Sequence, residues 1–557
     1  MLNLHKKYVD ETFDEHGLVT GFNLKFDENY NFAYDVVDEI AKHTPDRRAM
    51  LWTNEDGEEI TFSFGDLKKY SDKTANVLKD QGVKKGDVVM LVLKRHYQFW
   101  FSILACHKLG AIAVPASNQL KEKDFVYRYN AATVKAIICT SDDNLPVLAL
   151  ASAKDCPSVT VFLEAFGRKA ERDNKVITDG WLSFDDLVDA ASEEFPRQDV
   201  KAADPMLMYF TSGTTGYPKM VLHDYSYSLG HLNTAKWWQN VDPEGLHFTL
   251  SDTGWGKAVW GKLYGQWLME AGVFTYDFNR FTPNDLLPLF AKHKITTFCA
   301  PPTMFRFFIK EDLSKYDLSS LQYTTIAGEA LNPEVYNVWL KHTGIKLMEG
   351  FGQTETTLII ANLTGMEPRP GSMGKPVPQY DVDIVDENGD SVPAGVTGEI
   401  VIRTDKRKQF GLFLGYYRDA DLTKKAWHDG MYHTGDTAWK DEDGYYWYVG
   451  RTDDIIKSSG YRIGPFEIES VLMEHPSVLE CAVTGVPDPV RGQLVKATII
   501  LAKGYEASEE LKKELQDFVK KLTAPYKYPR AIDFVTELPK TISGKIRRTE
   551  IREKDNG

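Results

Sequence analysis

The stretch Asp87-Val-Val-Met-Leu-Val-Leu93 is a continuous apolar run, and a second run, Ala136-Ile-Ile-Cys-Thr140, follows it along the chain. Apolar runs of this length are typical of strands that are buried on both faces of a parallel sheet. Between them, the segment from Tyr97 to Leu109 has apolar residues at helical spacing, and Gly110 predicts a helix C-cap. The order strand, helix, strand therefore predicts α/β layers with mainly parallel sheets.

The same alternation continues further along the chain and then changes. Ile295-Thr-Thr-Phe-Cys299 and Tyr323-Thr-Thr-Ile-Ala327 predict further parallel strands. From about Gly374 the strands become shorter and are separated by turn signals such as Asp386-Glu-Asn-Gly389 and Asp441-Glu-Asp-Gly444. This pattern predicts a smaller antiparallel β unit.

A polar stretch, Arg451-Thr-Asp-Asp454, precedes a C-terminal region that has its own pattern of helices and strands. Helices are predicted over 465–475 and 508–522, and strands over 482–486 and 495–501. We therefore expect a large N-terminal domain of several subdomains, residues 1–452. A small mobile α+β domain, residues 453–557, follows, with a hinge at Asp453.

Composition narrows the class of protein. A chain of 557 residues exceeds the usual limit of one hydrophobic core. The formal charge of −14 repels phosphate backbones and anionic lipid, which argues against nucleic-acid and membrane partners. Five scattered cysteines lack the spacing of metal ligands and favour free thiols in a reducing compartment. With a polar N-terminus and no long apolar run, a cytoplasmic location is expected.

The strongest local motif is Tyr209-Phe-Thr-Ser-Gly-Thr-Thr-Gly-Tyr-Pro-Lys219. Glycines let backbone N–H groups converge on an anion, hydroxyl groups add donors, and Lys219 supplies positive charge. It is not a Walker A loop, because Lys219 lies between Pro218 and Met220. The motif indicates a phosphate-binding loop, and a flexible surface loop is the alternative.

A second motif, Met348-Glu-Gly-Phe-Gly-Gln-Thr-Glu-Thr356, places an aromatic ring between two glycines and a carboxylate shortly after them. The ring could stack on a flat base, and Glu355 beside phosphates is a suitable Mg²⁺ ligand. Upstream, Ala327-Gly-Glu-Ala330 is a tight turn after a strand, where open α/β sheets bind ligands. A turn leading into a helix is the alternative interpretation.

Two further motifs carry charge. Tyr432-His-Thr-Gly-Asp436 ends in an acid that could accept both hydroxyls of a ribose, and cations and acids alternate over 450–463. Near the C-terminus, Leu538-Pro-Lys-Thr-Ile-Ser-Gly-Lys545 places a lysine on a glycine-containing turn that could reach a phosphoryl group. Polar surface turns and a solvated basic tail are the alternatives.

In this order and spacing, the four motifs resemble those of the adenylate-forming superfamily, which includes acyl-CoA synthetases, luciferases and peptide-synthetase adenylation domains. Two further stretches, Leu250 to Trp260 and Ala524 to Arg530, look like those of the medium-chain acyl-CoA synthetases. The resemblance implies an AMP-forming, ATP-dependent carboxylic acid:CoA ligase that acts through an acyl-adenylate. It also implies ATP, Mg²⁺ and coenzyme A as cofactor and co-substrates, and short- to medium-chain acids, including branched or cyclic ones, as substrates.

The resemblance also implies roles for individual residues. Lys545, Glu355 and Thr354 are expected to be catalytic, and Glu355 to bind the metal ion. The ATP-binding positions are expected to be Thr211, Ser212, Gly213, Thr214, Thr215, Gly216, Tyr217, Pro218, Lys219, Gly328, Glu329, Ala330, Gly350, Phe351, Gly352, Gln353, Thr354, Asp436, Arg451 and Lys545. The coenzyme A positions are expected to be Ser459, Gly460, Tyr461, Arg491 and Tyr528, and the acyl pocket to comprise Trp255, Gly256, Gly328 and Arg462.

Four large aromatic rings lie close together in the region of the expected acyl pocket. Trp260, Tyr264 and Trp267 follow Trp255, and their spacing of four and then three predicts one face of a helix. These rings either pack in the core or wall and shorten the acid site.

Three other functions fit parts of the pattern. They are an adenylation domain that loads a carrier protein, a luciferase-like oxygenase and a nucleotide-binding regulator. The coenzyme A-like positions Arg491 and Tyr528 favour a CoA ligase, and intact Lys545 and Glu355 favour an enzyme over a regulator. The expected partners are a small carboxylic acid, ATP and CoA, and the protein is expected to be a monomer or homodimer.

Overall fold

The computed structural model of the chain describes residues 1–211, 217–329, 331–541 and 545–556. The strands in chain order are β1 (Val9–Phe13), β2 (Val19–Leu24), β3 (Arg48–Asn54), β4 (Glu59–Ser63), β5 (Val88–Val92), β6 (Ile112–Pro115), β7 (Val134–Thr140), β8 (Val161–Ala165), β9 (Leu182–Ser183), β10 (Pro205–Thr211), β11 (Lys219–Asp224), β12 (Leu246–Thr249), β13 (Gly272–Asp277), β14 (Thr297–Ala300), β15 (Tyr323–Ile326), β16 (Leu347–Gly352), β17 (Leu358–Ala361), β18 (Lys375–Pro376), β19 (Val382–Val385), β20 (Gly398–Arg403), β21 (Gly415–Tyr416), β22 (Trp427–His428), β23 (Met431–Lys440), β24 (Tyr446–Arg451), β25 (Ile456–Ser458), β26 (Tyr461–Ile463), β27 (Val478–Asp488), β28 (Gly492–Leu501) and β29 (Ala531–Phe534). The α-helices are α1 (Glu39–His43), α2 (Phe64–Asp80), α3 (Gln98–Leu109), α4 (Glu122–Ala132), α5 (Leu145–Ser152), α6 (Lys169–Asp173), α7 (Phe184–Ala190), α8 (Ser226–Asn233), α9 (Gly256–Lys262), α10 (Tyr264–Leu268), α11 (Pro283–His293), α12 (Pro302–Phe308), α13 (Pro333–Thr343), α14 (Ala420–Ala426), α15 (Pro465–Glu474), α16 (Glu509–Leu522) and α17 (Arg548–Asn556).

The first sheet contains the two apolar runs near Asp87 and Ala136 as β5 and β7. It has eight strands in the order β21-β11-β10-β6-β5-β7-β8-β9. The strands from β10 to β9 are parallel, whereas β11 and β21 add antiparallel pairs at one edge. Helix α3 is buried along its whole length and ends at Gly110, whose φ of 77° is the left-handed conformation expected of a C-cap glycine.

The second sheet has nine strands in the order β18-β17-β16-β15-β14-β12-β13-β3-β4. Its inner strands, from β16 to β3, pair in parallel, and β17, β18 and β4 are antiparallel edge additions. The prediction of mainly parallel sheets is therefore confirmed. Both sheets contribute to one large apolar cluster, which includes Trp52, Trp100 and Trp267.

The predicted β unit is a five-stranded antiparallel sheet in which β19, β20, β23 and β22 follow one another and β24 pairs with β23. Its tight turns contain Gly389 and Gly444, with φ of 83° and 82°. Glycine suits these turns because a left-handed backbone carries no Cβ penalty there.

The C-terminal residues form a separate sheet, β26-β25-β28-β27, with β29 parallel to β28. Helix α16 buries Leu511, Leu515 and Val519, and the side chain of Ser508 caps it by accepting from the Leu511 N–H. These helices and strands share an apolar cluster that contains only residues after 455. The hairpin of β27 and β28 is longer than predicted, because its pairing continues beyond the apolar residues that marked it in the sequence.

Two negative findings concern the described residues alone. All five cysteines are free and buried. Within the described ranges, no helix combines the length and the apolar character that crossing a membrane requires.

Candidate functional site

The predicted motifs follow the carboxyl ends of neighbouring strands. Strand β10 ends at Thr211, β15 ends just before Ala327, and β16 ends at Gly352. In open α/β sheets, ligands bind at this edge because the loops after parallel strands converge there. The loop after β16 also contacts the β unit, since Gln353 donates to the Thr434 carbonyl at 2.8 Å.

The base of the phosphate loop is a pair of antiparallel strands. Thr211 at the end of β10 faces Lys219 at the start of β11. The Tyr127 hydroxyl donates to the Pro218 carbonyl at 2.9 Å, and its ring stacks on Tyr217 with 4.9 Å between centroids. The predicted residues Ser212, Gly213, Thr214, Thr215 and Gly216 lie outside the described residues.

Close packing against tryptophans explains the two glycines of the second motif. A Cβ on Gly350 would lie 2.6 Å from the Trp238 ring, and one on Gly352 would lie 2.4 Å from the Trp260 ring. Real Cβ atoms do not approach other atoms so closely, so neither position can accept a larger residue without movement. Phe351 between them faces the ring of Tyr448 at 6.2 Å.

Glu355 and Thr354 are held from two sides. Glu355 Oε1 accepts a 2.9 Å hydrogen bond from the Tyr416 hydroxyl, and the Thr354 carbonyl accepts one of 2.7 Å from His223 Nε2. Burial lowers the pKa of His223 to about 3, so its imidazole is neutral and donates through Nε2. The sequence carried no signal for His223 or Tyr416, because both contacts join distant segments.

Asp436 is buried and surrounded by donors. The Tyr448 hydroxyl donates to Oδ1 at 3.0 Å, Gln353 donates its amide to Oδ2, and Arg451 Nη1 lies 3.4 Å from Oδ2. Burial raises the pKa of Asp436, while the charge of Arg451 and these hydrogen bonds oppose the rise. The Gln353 carbonyl in turn accepts from the Tyr432 hydroxyl at 2.7 Å, which fixes the orientation of the amide.

The turn after β15 lies beside the start of α9. Gly328 has a φ of 111°, and a Cβ there or on Gly256 would meet no atom within 4 Å. Glu329 pairs with Arg306, whose Nη2 lies 2.8 Å from its carboxylate. Ala330 lies outside the described residues.

Lys257 is a residue that the sequence reasoning missed. It follows Gly256 on the first turn of α9, and its Nζ donates to the Ala327 carbonyl at 2.7 Å. Burial lowers the pKa of this lysine. A lysine directly after Trp255 and Gly256 was the available signal, since a charged residue interrupts an otherwise aromatic and apolar stretch.

The aromatic cluster does not lie on one helical face as predicted. Helix α9 ends at Lys262 and α10 begins at Tyr264, because Leu263 adopts a non-helical backbone with φ −151° and ψ −87°. Tyr264 and Trp267 are fully buried, and Trp267 packs on Phe32 and Phe64 and donates to a backbone carbonyl of β3. For Tyr264 and Trp267, the interpretation as core residues is therefore correct.

Trp260 is the ring of this cluster that packs on the glycine motif. It contacts Gly352, and its Nε1 donates to the Tyr227 hydroxyl at 3.1 Å. Trp255 is half-buried at the N-cap of α9. The structure therefore separates Trp260, which packs on the glycine motif, from Tyr264 and Trp267 in the core.

Lys545 lies between β29 and α17 in the C-terminal region. Its backbone N–H donates to the Thr541 hydroxyl at 3.1 Å. The largest influence on the pKa of both Asp436 and Lys257 is burial, and the Lys545 charge contributes to lowering both. The charge of Lys545 therefore influences both Asp436 and Lys257.

Asp453 lies where contacts change from one region to the next. The Thr452 N–H donates to the Gly435 carbonyl of the β unit at 2.9 Å. The carboxylate of Asp454 pairs with Arg548 at 3.7 Å and with Arg552, both on α17. The Asp453 carboxylate makes only a 3.7 Å ion pair with Arg451 among the described residues.

The residues predicted to bind coenzyme A lie on the C-terminal sheet. Ser459 and Gly460 form a left-handed turn, with φ of 50° and 83°, and Arg491 Nη1 donates to the Ser459 hydroxyl at 3.1 Å. Tyr461 is exposed and stacks on Tyr526 with 4.0 Å between centroids.

The remaining predicted residues of this region are also engaged locally. The Tyr528 hydroxyl accepts from Arg530, and Arg462 pairs with Glu387 of the β unit. No contact between described residues brings Arg462 to Trp255, Gly256 or Gly328. In this domain orientation, the structure therefore does not place Arg462 in the predicted acyl pocket.

Two family models match the chain, "AMP-binding enzyme" over residues 37–417 and "AMP-binding enzyme C-terminal domain" over residues 467–545. The chain is 41% identical to mouse acyl-coenzyme A synthetase ACSM3 over 96% of its own length and 92% of that protein. It is 43% identical to human acyl-coenzyme A synthetase ACSM5 over 95% and 91% of the two chains. The names of both relatives describe them as mitochondrial.

A solved structure, the anthranilate CoA ligase AuaEII in complex with anthranoyl-AMP, superposes with a TM-score of 0.85 at 30% identity. The superposition covers 95% of this chain and 98% of that one. The likeness therefore extends over both the large α/β part and the C-terminal sheet.

Proposed function

The chain belongs to the family of AMP-binding enzymes, as its motifs predicted, and we propose that it is an ATP-dependent carboxylic acid:CoA ligase. In the first half-reaction the acid and ATP give an acyl-adenylate and pyrophosphate. In the second, the acyl group passes to the thiol of coenzyme A and AMP is released. The observation that carries this proposal is the group of loops at the carboxyl ends of β10, β15 and β16, where Gln353 joins the glycine motif to the buried carboxylate of Asp436.

Adenylation needs position and charge more than it needs a base. A carboxylic acid is already ionised near pH 7, so its oxygen can attack the α-phosphorus directly. The bond from that phosphorus to the bridging oxygen breaks, and pyrophosphate carries the electron pair away. We assign neutralisation of the charge to Lys545 and Lys219, and binding of the ribose hydroxyls to Asp436.

Glu355 suits a Mg²⁺ ion in its chemistry and its surroundings. Mg²⁺ prefers carboxylate oxygens together with substrate phosphates. Within the described residues, Oε1 of Glu355 accepts from Tyr416 and Oε2 accepts no hydrogen bond. Those residues contain no cluster of three or more acidic, histidine or cysteine ligands, which fits a site completed by phosphates. When bound there, the ion would neutralise phosphate charge.

For thioester formation we propose that residues 453–557 rotate as a unit about Asp453. The support is that the Thr452 N–H donates to the Gly435 carbonyl of the β unit, whereas the carboxylate of Asp454 pairs with Arg548 and Arg552 of α17. Rotation would withdraw Lys545 and bring the turn at Ser459 and Gly460 toward the acyl-adenylate. We assign Ser459, Gly460, Tyr461, Arg491 and Tyr528 to coenzyme A on this basis.

We propose short- to medium-chain acids, including branched or cyclic ones, as substrates. Trp260 packs against Gly352 and borders open space, so we expect a long straight tail to meet its indole ring. A pocket that ends after a few carbons excludes longer tails sterically, and we expect best turnover with acids of about three to eight carbons. A role in fatty-acid metabolism follows from such substrates.

Two finer proposals rest on the sequence. A cytoplasmic location is supported by free, buried cysteines, which suit a reducing compartment. A monomer or homodimer remains the expected form in solution.

The test is acid-dependent pyrophosphate exchange into ATP, measured for the wild type and for Lys545→Ala. Loss of a charge-stabilising contact commonly lowers the rate by about 10²- to 10³-fold. Lys540→Ala is the matched control, since Lys540 lies on the same turn but pairs with Glu480 at the surface. Thioester formation from supplied acyl-adenylate should survive in both variants. Exchange near the wild-type rate in Lys545→Ala would contradict the assignment.

A further inference from the structure

The Tyr416 side chain connects the last strand of the first sheet to the carboxylate of Glu355. Tyr416 ends β21 and pairs with Val221 on β11, the strand that begins at Lys219. Its hydroxyl donates to Glu355 Oε1 at 2.9 Å. Tyr416 thus lies between the strand that follows the phosphate loop and the carboxylate that suits Mg²⁺.

The backbone holds both ends of this hydrogen bond. The Phe413 N–H donates to the Glu355 carbonyl at 2.8 Å, so the segment before β21 binds the glutamate main chain directly. The Tyr416 N–H donates to the Thr423 hydroxyl at 2.9 Å. The tyrosine ring packs on Phe413 at 5.0 Å, and only 8% of the residue is exposed. Neither partner can therefore move far without disturbing the other.

The ring of Tyr416 also lies beside a cation. The ammonium of Lys219 lies 5.1 Å from the ring centroid, where a cation is attracted to the ring face. The same ring therefore contacts two groups that we assign to the ATP phosphates and their ion.

We propose that Tyr416 is a positioning residue that holds Glu355 so that Oε2 alone faces the Mg²⁺ ion of bound nucleotide. This inference rests on the proposed function of Glu355. Because Oε1 is occupied by the phenol, the carboxylate presents one oxygen in one orientation. A carboxylate that is already fixed loses less rotational freedom when the ion binds, and the affinity for the ion is therefore higher.

The experiment measures binding and not turnover. Calorimetric titration of ATP, without acid or coenzyme A, is repeated over a series of Mg²⁺ concentrations for the wild type and for Tyr416→Phe. Loss of a hydrogen-bonded partner of a metal ligand commonly lowers metal affinity by about 10- to 100-fold. In Tyr416→Phe, we expect the Mg²⁺ concentration that gives half of the maximal increase in ATP affinity to be about tenfold higher than in the wild type. Binding of ATP in EDTA should not change.

Tyr417→Phe is the matched control. Tyr417 is the next residue, its ring lies under Arg418, and it makes no hydroxyl hydrogen bond among the described residues. The double variant Tyr416→Phe/Glu355→Gln tests whether Tyr416 acts through Glu355. If it does, the Mg²⁺ dependence of ATP binding in the double variant should equal that of Glu355→Gln alone. Because phenylalanine keeps the ring and its packing, Tyr416→Phe should melt close to the wild-type temperature.

Two results would overturn the inference. One is a Mg²⁺ dependence of Tyr416→Phe that matches the wild type and Tyr417→Phe. The other is an additive loss in the double variant, which would mean that the phenol acts independently of Glu355. If the proposed function itself is wrong, the result is distinguishable from these two. The wild type would then show no Mg²⁺-dependent ATP binding and no acid-dependent pyrophosphate exchange.

Discussion

Trp260→Leu should lengthen the acids that the enzyme accepts. The Trp260 indole lies against Gly352 so closely that a Cβ on the glycine would be 2.4 Å from the ring. Trp260 is also 8% exposed, so it borders open space and is not fully enclosed in the core. Leucine keeps an apolar surface at this position but withdraws most of the ring from the glycine motif.

The size of the effect follows from the apolar surface that a longer tail could then bury. Each buried methylene contributes about 0.8 kcal/mol, which corresponds to about a fourfold change in specificity constant. If the withdrawn ring admits about three more methylenes, the gain is about 2.4 kcal/mol. We therefore expect kcat/KM for a decanoate-sized acid to rise about 50-fold relative to a pentanoate-sized one.

The assay is thioester formation with straight acids from acetate to palmitate at saturating ATP and coenzyme A. Trp267→Leu serves as the matched control, because Trp267 is buried against Phe32 and Phe64 in the core. Both changes should lower stability, but only Trp260→Leu should shift the chain-length profile. An unchanged profile in a folded Trp260→Leu enzyme would refute the reasoning, as would a wild type that prefers palmitate.

The remaining predictions concern the hinge and a buried acid. Asp453→Pro fixes φ at the changeover between the two regions, so acyl-adenylate should form while CoA ester does not; equal loss of both half-reactions would indicate misfolding instead. Burial raises the pKa of Glu349 from 4.5 to about 8. The contribution of neutral Glu349 to the free energy of unfolding is therefore complete below about pH 4.5. It is lost as pH rises to about 8, by up to about 1.4 kcal/mol per pH unit. Glu349→Gln should show a flatter dependence of the denaturation midpoint between these pH values, and parallel profiles would contradict the assignment.

The sequence by itself determined the features that local patterns carry. Apolar runs and helical spacing from Asp87 to Thr140 predicted the strand, helix and strand that the first sheet contains, and Gly110 predicted the end of α3. Motif order predicted the family. Such features follow from the chain because backbone preferences and burial periodicity act over a few residues.

Only the tertiary structure decided which distant groups meet. The hydrogen bonds of Tyr416 with Glu355 and of Gln353 with Asp436 join segments that are far apart in the chain, and no local spacing encodes them. The non-helical residue Leu263 separates α9 from α10. As a result, Trp267 packs in the core and Trp260 packs on Gly352, although both rings belong to one sequence pattern. The physical reason is that packing of whole sheets and helices selects these contacts, and a backbone change at one residue redirects every side chain after it.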